Sequence, residues 1–261
     1  MGRYSRHIDL QEVGPAGQRK LFQAKVLVIG AGGLGVPVLL YLTAAGVGRI
    51  GIVDFDRVSL DNLQRQVLYR EEDLEKNKAV VARELLEARN SQIEVLSYPE
   101  PFTVNNAIQL VREYDIVVDC TDNFRTRYLI NDTCVKESKP LVYAAIFKFE
   151  GQLSVFNYKN GPTYRCLFPI APRVEEIPNC QDSGVLGVLP GVMGLYQANE
   201  VIKIILGLGK ILSGTLFTLN LLSLDQKQFT FRRDEKEVER IKKDPLHPSK
   251  INDCNLDLNG K

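Results

Sequence analysis

The sequence lacks several features that mark whole classes of protein. No run of about 18 apolar residues occurs, so no segment predicts a transmembrane helix. The formal net charge is +1, from 33 basic and 32 acidic residues, which gives no reason to expect a nucleic-acid or membrane partner. The opening MGRYSRHIDL has no apolar signal region, and Arg6 stands where a myristoylation signal needs Ser or Thr. These absences predict a cytoplasmic protein.

Cysteines are few and scattered. The five of them stand at positions 120, 134, 166, 180 and 254, an odd number without close spacing, so a disulfide framework is not expected. Cys120 and Cys134 lie in apolar segments and are interpreted as small core residues. With 261 residues, of which 44% are hydrophobic, the chain is long enough to bury a sizeable core.

A glycine cluster follows the apolar run Val26 to Ile29 in the segment VLVIGAGGLG. The run is short and β-branched, which predicts a buried parallel strand. Gly30, Gly32 and Gly35 have the GxGxxG spacing of a phosphate-binding turn, and a helix over about 34 to 45 would direct its N-terminus at the anion. Asp54 ends the next predicted strand, where such folds place a carboxylate on ribose hydroxyls. By itself this fingerprint leaves an NAD-dependent oxidoreductase open.

Strands and helices alternate along the first half of the chain, which predicts a doubly wound, Rossmann-like α/β fold. We expect helices in residues 73–90 and 103–114, the second capped by Thr103, and strands in residues 93–98 and 115–120. From residue 140 onward strands without intervening helices predict an antiparallel extension of the sheet. A polar stretch over residues 161–187 is too long for an ordinary connection, and the tail beyond residue 232 is interpreted as a solvated helix with a frayed end.

Two cations beyond Asp54 favour a triphosphate over a dinucleotide. Arg65 and Lys78 lie either side of a polar loop, and guanidinium and ammonium groups suit the additional phosphate charge. Asp122 stands just past the carboxyl end of the buried strand DIVVDC, at the edge where open α/β sheets bind ligands, and is a candidate magnesium ligand.

Six segments taken together resemble the MoeB/ThiF family, bacterial relatives of ubiquitin-activating enzymes. They are RYSRHIDLQEVGPAGQRKL, VLVIGAGGLG, VDFDRVSLDNLQRQ, Lys78, DCTDN and GVMGLYQANEVIKIILG. The resemblance extends to about residue 232. It implies one adenylating domain over residues 1–232, with a nucleotide-binding half over about 1–138, a carrier-binding half over about 139–232 and a charged tail over 233–261.

The resemblance also implies site residues. ATP would be held by the glycine cluster, the acidic pair after the second strand and the polar loop, together with one basic residue and the end of the fourth strand. These residues are Gly30, Gly32, Gly33, Gly35, Asp54, Asp56, Asp61, Asn62, Leu63, Gln64, Arg65, Lys78, Asp122 and Asn123. Asp122 would hold magnesium, and Arg6 is similar to an arginine finger that reaches across a homodimer. Position 61 is Asp where relatives often have Ser, which leaves that side chain's contribution open.

The activity that this resemblance implies is ATP-dependent adenylation of a protein terminus. The substrate would be the C-terminal glycine carboxylate of a small ubiquitin-like sulfur carrier of the ThiS/MoaD type that ends in Gly-Gly. The reaction would serve thiamin or molybdopterin biosynthesis, and the sequence does not choose between them. The loop 161–187 would cover the carrier's tail, and the sulfur donor would be a separate protein. A family relative that adenylates a peptide or acts on a tRNA base stays an alternative, as do an NAD-dependent oxidoreductase and a non-catalytic binding module.

Two cysteine positions differ from relatives or stay open. Relatives commonly hold a structural zinc with two CxxC pairs, but here Thr163 stands at the first cysteine of TYRC, Cys166 at the second, and the later pair is missing. With only His7 and His247 as further candidates, we expect no zinc. Cys180 matches a cysteine that some relatives link covalently to the carrier, and it is equally compatible with a spectator role.

Overall fold

One mixed sheet of eight strands forms the centre of the computed structural model, which describes residues 2–172 and 184–246. The strands lie in the order β3-β2-β1-β4-β5-β6-β7-β8. Their bounds are β1 Lys25–Ile29, β2 Arg49–Val53, β3 Glu94–Tyr98, β4 Ile116–Asp119, β5 Leu141–Phe147, β6 Glu150–Phe156, β7 Thr215–Asn220 and β8 Gln226–Thr230. The doubly wound α/β prediction is therefore confirmed.

Helices cover both faces of this sheet. Their bounds are α1 Ser5–Ile8, α2 Gly14–Gln23, α3 Gly35–Ala45, α4 Lys78–Arg89, α5 Ala107–Arg112, α6 Phe124–Lys136, α7 Tyr164–Leu167, α8 Val188–Leu206 and α9 Glu235–Lys243. Gly46 ends α3 with a φ of 80°, a left-handed conformation that glycine adopts without strain.

Two predicted helices begin later than the sequence pattern indicated. Helix α4 begins at Lys78, because the side chain of Asn77 accepts a hydrogen bond from the Val80 N–H and caps the helix there. Helix α5 begins at Ala107, because the Asn106 side chain accepts from the Thr103 N–H at 2.8 Å, so Thr103 lies in a turn and is not the cap. In both segments a local side-chain bond holds the preceding residues out of the helix.

The sheet changes from parallel to antiparallel at β5. Strands β3, β2, β1, β4 and β5 pair in parallel, whereas β5 to β8 pair antiparallel. The antiparallel extension is thus present, although β5 itself also completes the parallel part and α8 lies between β6 and β7 in the chain. No described helix has the combination of length and apolarity that crossing a membrane requires.

Alternate residues of β1 enter two cores on opposite faces of the sheet. Val26 and Val28 pack with residues of α3, α4 and α8, while Leu27 and Ile29 pack with residues of α5, α6 and α7. All four side chains are almost fully buried. A strand buried on both faces explains why its sequence is continuously apolar. Cys120 and Cys134 are buried in these cores, as predicted.

Helix α8 is a long helix from the second half of the chain that packs against elements of the first half. Gly194 packs against the backbone of Leu34 at the start of α3, where an added Cβ would collide. The Gln197 side chain donates to the carbonyl of Asp119 at 2.7 Å and thereby reaches the end of β4. At its other end, the Leu206 carbonyl accepts a hydrogen bond from Lys20 on α2.

The charged tail forms a docked helix. Asp234 caps α9 by accepting from the N–H of Lys236 at 2.9 Å, and Val238 and Ile241 are buried against Val135. The helix is thus amphipathic and packs on α6 rather than being solvated on all sides. Residues 247–261, including His247 and Cys254, lie outside the described residues.

Candidate active site

The predicted nucleotide residues meet at the carboxyl edge of the parallel strands. The glycine loop follows β1, Asp54 follows β2, and the segment Cys120 to Asn123 follows β4. Because β1 is hydrogen-bonded to both β2 and β4, these three segments are adjacent in space. This edge is where open α/β sheets bind ligands.

The glycines of the loop have different structural reasons to be glycine. Gly30 has a φ of 96°, and an added Cβ would lie 2.6 Å from the Cys120 carbonyl oxygen. A Cβ at Gly35 would overlap the Gly30 carbonyl, so α3 could not approach the strand. Gly32 differs, because among the residues that the structure describes only Nε2 of Gln66, at 3.6 Å, lies near its added Cβ. Open space beside Gly32 allows a phosphate to approach the backbone there.

Asp54 is held in place by the glycine loop. Its Oδ2 accepts a hydrogen bond from the Ala31 N–H at 2.7 Å, and its Oδ1 accepts from the Asp56 N–H at 2.8 Å. Burial raises the pKa of this carboxyl to about 6, against the lowering effects of the Ala31 hydrogen bond and the Lys78 charge. Each oxygen keeps a lone pair that ribose hydroxyls could donate to.

Lys78 is fixed next to the glycine loop by backbone contacts and by Asp56. Its Nζ lies 3.2 Å from Oδ2 of Asp56. The Tyr69 hydroxyl donates to the Ala31 carbonyl at 2.8 Å and lies 3.3 Å from the Lys78 carbonyl, so it joins the glycine loop to the start of α4. Asn77 donates to the carbonyls of Asp54 and Asp56. Tyr69 and Asn77 were not predicted as site residues, and neither is recognisable by spacing from the glycines.

The loop over residues 61–65 lies against the glycine loop on its other side. The Arg65 guanidinium donates to the Asp61 carbonyl at 2.9 Å, and its Cγ lies 3.6 Å from the Cβ position at Gly33. The Asp61 carboxylate accepts from the Ser59 hydroxyl and from the Asn62 amide, and the Ser59 hydrogen bond lowers its pKa. The Asp61 side chain therefore stabilises the turn in which it lies.

The remaining members of that segment have structural contacts. Leu63 packs on the core that contains α8, and Gln64 meets Gly187, where an added Cβ would collide with the Gln64 backbone. Gln66 is 3% exposed, and its Oε1 has no hydrogen-bond partner among the described residues. Sequence reasoning did not include Gln66 in the site, although it is the last residue of the quoted NLQRQ segment.

Asp122 lies in a turn that is fixed on both sides. Asn123 accepts from the Thr126 N–H at 2.8 Å and so caps α6, while the Thr121 N–H donates to the Asp119 carboxylate at 2.9 Å. Asp122 itself is exposed and forms no hydrogen bond or ion pair with any residue that the structure describes. A solvated carboxylate at this edge is free to ligate a cation.

A buried ion pair behind this turn was missed by sequence reasoning. Asp119, the last residue of β4, is fully buried, and its Oδ2 lies 3.4 Å from Nε of Arg127 on α6. Burial raises the pKa of Asp119, and the Arg127 charge and the Thr121 hydrogen bonds oppose that shift. The signal available in the sequence was an aspartate inside an otherwise apolar strand.

Arg6 is the predicted site residue that this chain does not bring to the others. It lies exposed on α1, next to Tyr4, whose ring packs on Gly46 at the end of α3 and whose hydroxyl accepts from Asn90 at the end of α4. These helix ends lie at the amino edge of the strands, opposite the glycine loop. Cys180 falls within residues 173–183, outside the described part of the chain.

The position at which relatives have their first CxxC pair holds a hydrogen-bonded cysteine here. The Cys166 Sγ accepts from the N–H of Thr163 at 3.3 Å and from the N–H of Asp234 at 3.3 Å. Within residues 2–172 and 184–246, no three or more His, Cys, Asp or Glu side chains are grouped to hold a metal ion. Asp122 could still ligate magnesium, because Mg²⁺ bound with phosphates needs only one or two protein carboxylates.

Comparison with known proteins shows which family, relatives and solved structures this chain is similar to. The sequence pattern of the ThiF family matches residues 4–240. The sulfur carrier protein adenylyltransferase of Thermus thermophilus is 49% identical over 239 residues, which cover 90% of this chain and 88% of that protein. The adenylyltransferase and sulfurtransferase MOCS3 of Culex quinquefasciatus is 53% identical over 232 residues, or 89% of this chain and 52% of that protein. The chain thus spans about half the length of this second relative.

Solved structures of E. coli MccB have the same fold. MccB with ATP superposes with a TM-score of 0.77 at 26% identity, covering 89% of this chain and 72% of that one. MccB with MccA-N7isoASN superposes with a TM-score of 0.80 at 26% identity and the same coverage.

Proposed function

Because this chain belongs to the ThiF family, we propose that it uses ATP to adenylate the C-terminal glycine carboxylate of a small ubiquitin-like sulfur carrier protein ending in Gly-Gly. The single observation that carries this proposal is the arrangement at the glycine loop, where the Ala31 N–H donates to Asp54 and Arg65 lies beside Gly33. The Tyr69 hydroxyl joins the same loop to the start of α4 at Lys78. Two cations and an open backbone approach suit a nucleoside triphosphate.

The names of relatives support the same substrate class. The Thermus thermophilus relative, matched over 88% of its length, is named a sulfur carrier protein adenylyltransferase. A peptide substrate is the alternative raised by MccB, whose structures include complexes with MccA. The carrier is favoured because identity to the first protein is 49%, against 26% to MccB.

The residues around the glycine loop and at the end of β4 would take distinct roles. The Gly32 to Gly35 backbone would receive the phosphates, and Asp54 would accept hydrogen bonds from the ribose hydroxyls. Lys78 and Arg65 would neutralise phosphate charge as it develops. Asp122 would ligate magnesium, which supplies further neutralisation of phosphate charge when it is bound.

The reaction needs little proton transfer. A terminal carboxylate oxygen of the carrier bonds to the α-phosphorus, the bond from that phosphorus to the bridging oxygen breaks, and pyrophosphate leaves with the electron pair. Since a carboxylate is already a nucleophile, no general base is required. Catalysis comes from positioning the two reactants and from preorganised positive charge.

Arg6 would act on the phosphates of a second copy of the chain. Its own helix lies at the opposite edge of the sheet, so within one chain it does not reach the glycine loop. We propose a homodimer in which the Arg6 side chain of one subunit enters the site of the other. The residues that bind the carrier would lie in the half over about 139–232, with the sulfur donor a separate protein.

The test is ATP–pyrophosphate exchange with Mg²⁺, using the purified protein alone and with thiamin-pathway and molybdopterin-pathway carriers ending in Gly-Gly. We expect exchange that requires one or both carriers and is lost in Asp122→Asn. Glu113→Gln, an exposed carboxylate at the amino edge of the sheet, is the matched control and keeps wild-type exchange. No exchange with any carrier, combined with tight NAD binding, would contradict the proposal.

A further inference from the structure

Two buried charges converge on one residue behind the nucleotide edge. The Asp119 Oδ1 accepts hydrogen bonds from the Thr121 N–H at 2.9 Å and from the Thr121 hydroxyl at 2.6 Å. The Arg127 Nη2 donates to the Thr121 carbonyl at 2.9 Å. All three hydrogen-bonding groups of Thr121 are therefore occupied by this ion pair, whose charges lie 3.4 Å apart.

Thr121 connects the glycine loop to the proposed magnesium ligand. Its N–H lies 3.4 Å, and the preceding Cys120 carbonyl 2.6 Å, from the Cβ position at Gly30. Its other neighbour is Asp122, and beyond that Asn123 is held as the cap of α6. Asp122 consequently lies between two fixed residues, and within residues 2–172 and 184–246 no hydrogen bond or ion pair holds its own side chain.

Stability alone does not explain this ion pair. Along the same edge of the sheet, β1 and β2 end in apolar residues, Ile29 and Val53, and Ile29 pairs with Asp119 in register. An apolar pair would fill the same space without desolvating two charges, and such replacements of buried ion pairs are often neutral or stabilising. The Arg127 guanidinium also stacks at 5.0 Å on the Tyr143 ring, which fixes its plane.

We propose that the Asp119–Arg127 ion pair is a positioning device that holds the Thr121 peptide, and through it the Asp122 carboxylate, so that Asp122 would be in place to ligate the magnesium that accompanies ATP. This inference rests on the proposed use of ATP. It assigns the pair no contact with substrate, because both side chains lie beneath the turn. The pair therefore affects catalysis only through the position of Asp122.

The test removes both charges together. The double variant Asp119→Leu/Arg127→Met leaves an apolar pair, so no unpaired charge is buried. The matched control is Arg112→Met/Glu137→Leu, which removes a two-bonded ion pair between α5 and the C-terminal end of α6, with Nε and Oε2 3.0 Å apart, at the opposite edge of the sheet from the Asp122 turn. Isothermal titration calorimetry measures ATP affinity with Mg²⁺ and with EDTA for each protein.

We expect Mg²⁺ to strengthen ATP binding to the wild type and to the control by a similar factor. In the Asp119/Arg127 double variant, the ratio of ATP affinity with Mg²⁺ to ATP affinity in EDTA falls at least tenfold. The affinity in EDTA stays within about threefold of wild type. Because exchange is measured with Mg²⁺, the KM for ATP should rise by a factor similar to the fall in that ratio. A folded double variant with wild-type Mg²⁺ strengthening, or a wild type with none, would overturn the inference.

A milder variant keeps the test open if the double variant does not fold. Thr121→Val removes only the hydroxyl that Asp119 accepts from and retains the backbone bonds, so the Mg²⁺ strengthening should fall about threefold. An unchanged value would contradict the inference in the same way. Failure of the proposed reaction would give a different result. The wild type would then bind ATP in a Mg²⁺-dependent way but show no exchange with any carrier.

Discussion

The Lys78 ammonium group lies 3.2 Å from the Asp56 carboxylate, yet the Lys78 side chain is 6% exposed and the Asp56 side chain 52%. The buried cation is thus paired with a carboxylate that water solvates from outside. The ion pair with Asp56 keeps Lys78 in position but stabilises its charge little, because an ion pair open to solvent contributes little free energy. A polyphosphate that enters beside the glycine loop could replace Asp56 as the main counter-charge.

Substitution of this lysine should abolish most of the exchange activity. Lys78→Met removes one preorganised cation, and we expect the exchange rate to fall by about 100-fold. Lys76→Met is the matched control, since Lys76 is exposed and pairs with Asp73, and its exchange should stay near wild type. Equal losses in both variants, measured at saturating carrier, would contradict the assignment.

Two glycines of the loop should separate stability from binding. Gly35→Ala places a Cβ on the Gly30 carbonyl, so the free energy of unfolding should fall by about 3 kcal/mol or more. Gly32→Ala meets only the end of Gln66 and should change it by less than about 0.5 kcal/mol. ATP affinity of Gly32→Ala should nevertheless fall about tenfold because the phosphate loses its close approach. Urea unfolding and calorimetry measure both quantities, and a stable variant with wild-type affinity would place the phosphates elsewhere.

The raised pKa of Asp54 predicts a pH dependence of stability. Between the ordinary aspartate pKa near 3.8 and about 6, the folded state binds more protons at Asp54 than the unfolded state does. Stability contributed by this group is therefore present at low pH and is lost as pH rises through that window, by at most about 3 kcal/mol. Asp54→Asn removes the effect, so its unfolding free energy relative to wild type should rise between pH 4 and pH 7. A difference that stays constant over this range would contradict the prediction.

Helix α9 should be held by apolar burial rather than by a metal. Ile241→Ala should lower the free energy of unfolding by about 2 to 4 kcal/mol, because Ile241 is buried against α6. Glu239→Ala, on the exposed side of the same helix, should cost less than about 0.5 kcal/mol. Incubation of the wild type with a zinc chelator should leave Tm unchanged. A chelator-dependent fall in Tm would show that a metal stabilises this protein after all.

Mixed dimers test the proposed place of Arg6. Arg6→Ala and Lys78→Met should each be nearly inactive in exchange. Mixed and re-equilibrated in equal amounts, they should recover about a quarter of wild-type activity, because half of the dimers are mixed and each of these has one complete site. Lys78→Met mixed with Asp122→Asn should recover none, since both residues act within one chain's site. Absence of recovery in the first mixture would show that Arg6 does not act in the site of the partner subunit.

Much of the fold was predictable because its signals are local. The run Val26 to Ile29 is apolar along its whole length, and β1 is buried on both faces as that pattern predicts. The glycine spacing likewise predicted α3 to within a residue, since steric contacts of Gly30 and Gly35 fix how the helix leaves the strand. Helix starts were less predictable where one asparagine side chain decided them, as at Asn77 and Asn106.

The supporting residues of the site could not be predicted in the same way. Asp119 and Arg127 are buried, unlike the predicted residue Asp122, and only the three-dimensional packing shows that both are hydrogen-bonded to Thr121. Tyr69 contacts a carbonyl 38 residues away in the chain. Arg6 is the opposite case. Its segment was grouped with the site motifs, but in the fold it lies at the amino edge of the strands, away from the glycine loop. Tertiary contacts, not spacing, determine these positions.

The packing of α8 on the glycine loop sets when the site can form during synthesis. Pro190 lies within about 3 Å of the Cβ position at Gly33, and Gln197 holds the end of β4, so both sides of the nucleotide edge depend on residues far along the chain. A ribosome adds about 5 to 20 residues per second, and the loop around Gly33 emerges many seconds before α8 does. Contacts of such long sequence separation form late. A nascent chain should therefore bind no nucleotide until nearly all of its sheet has been translated.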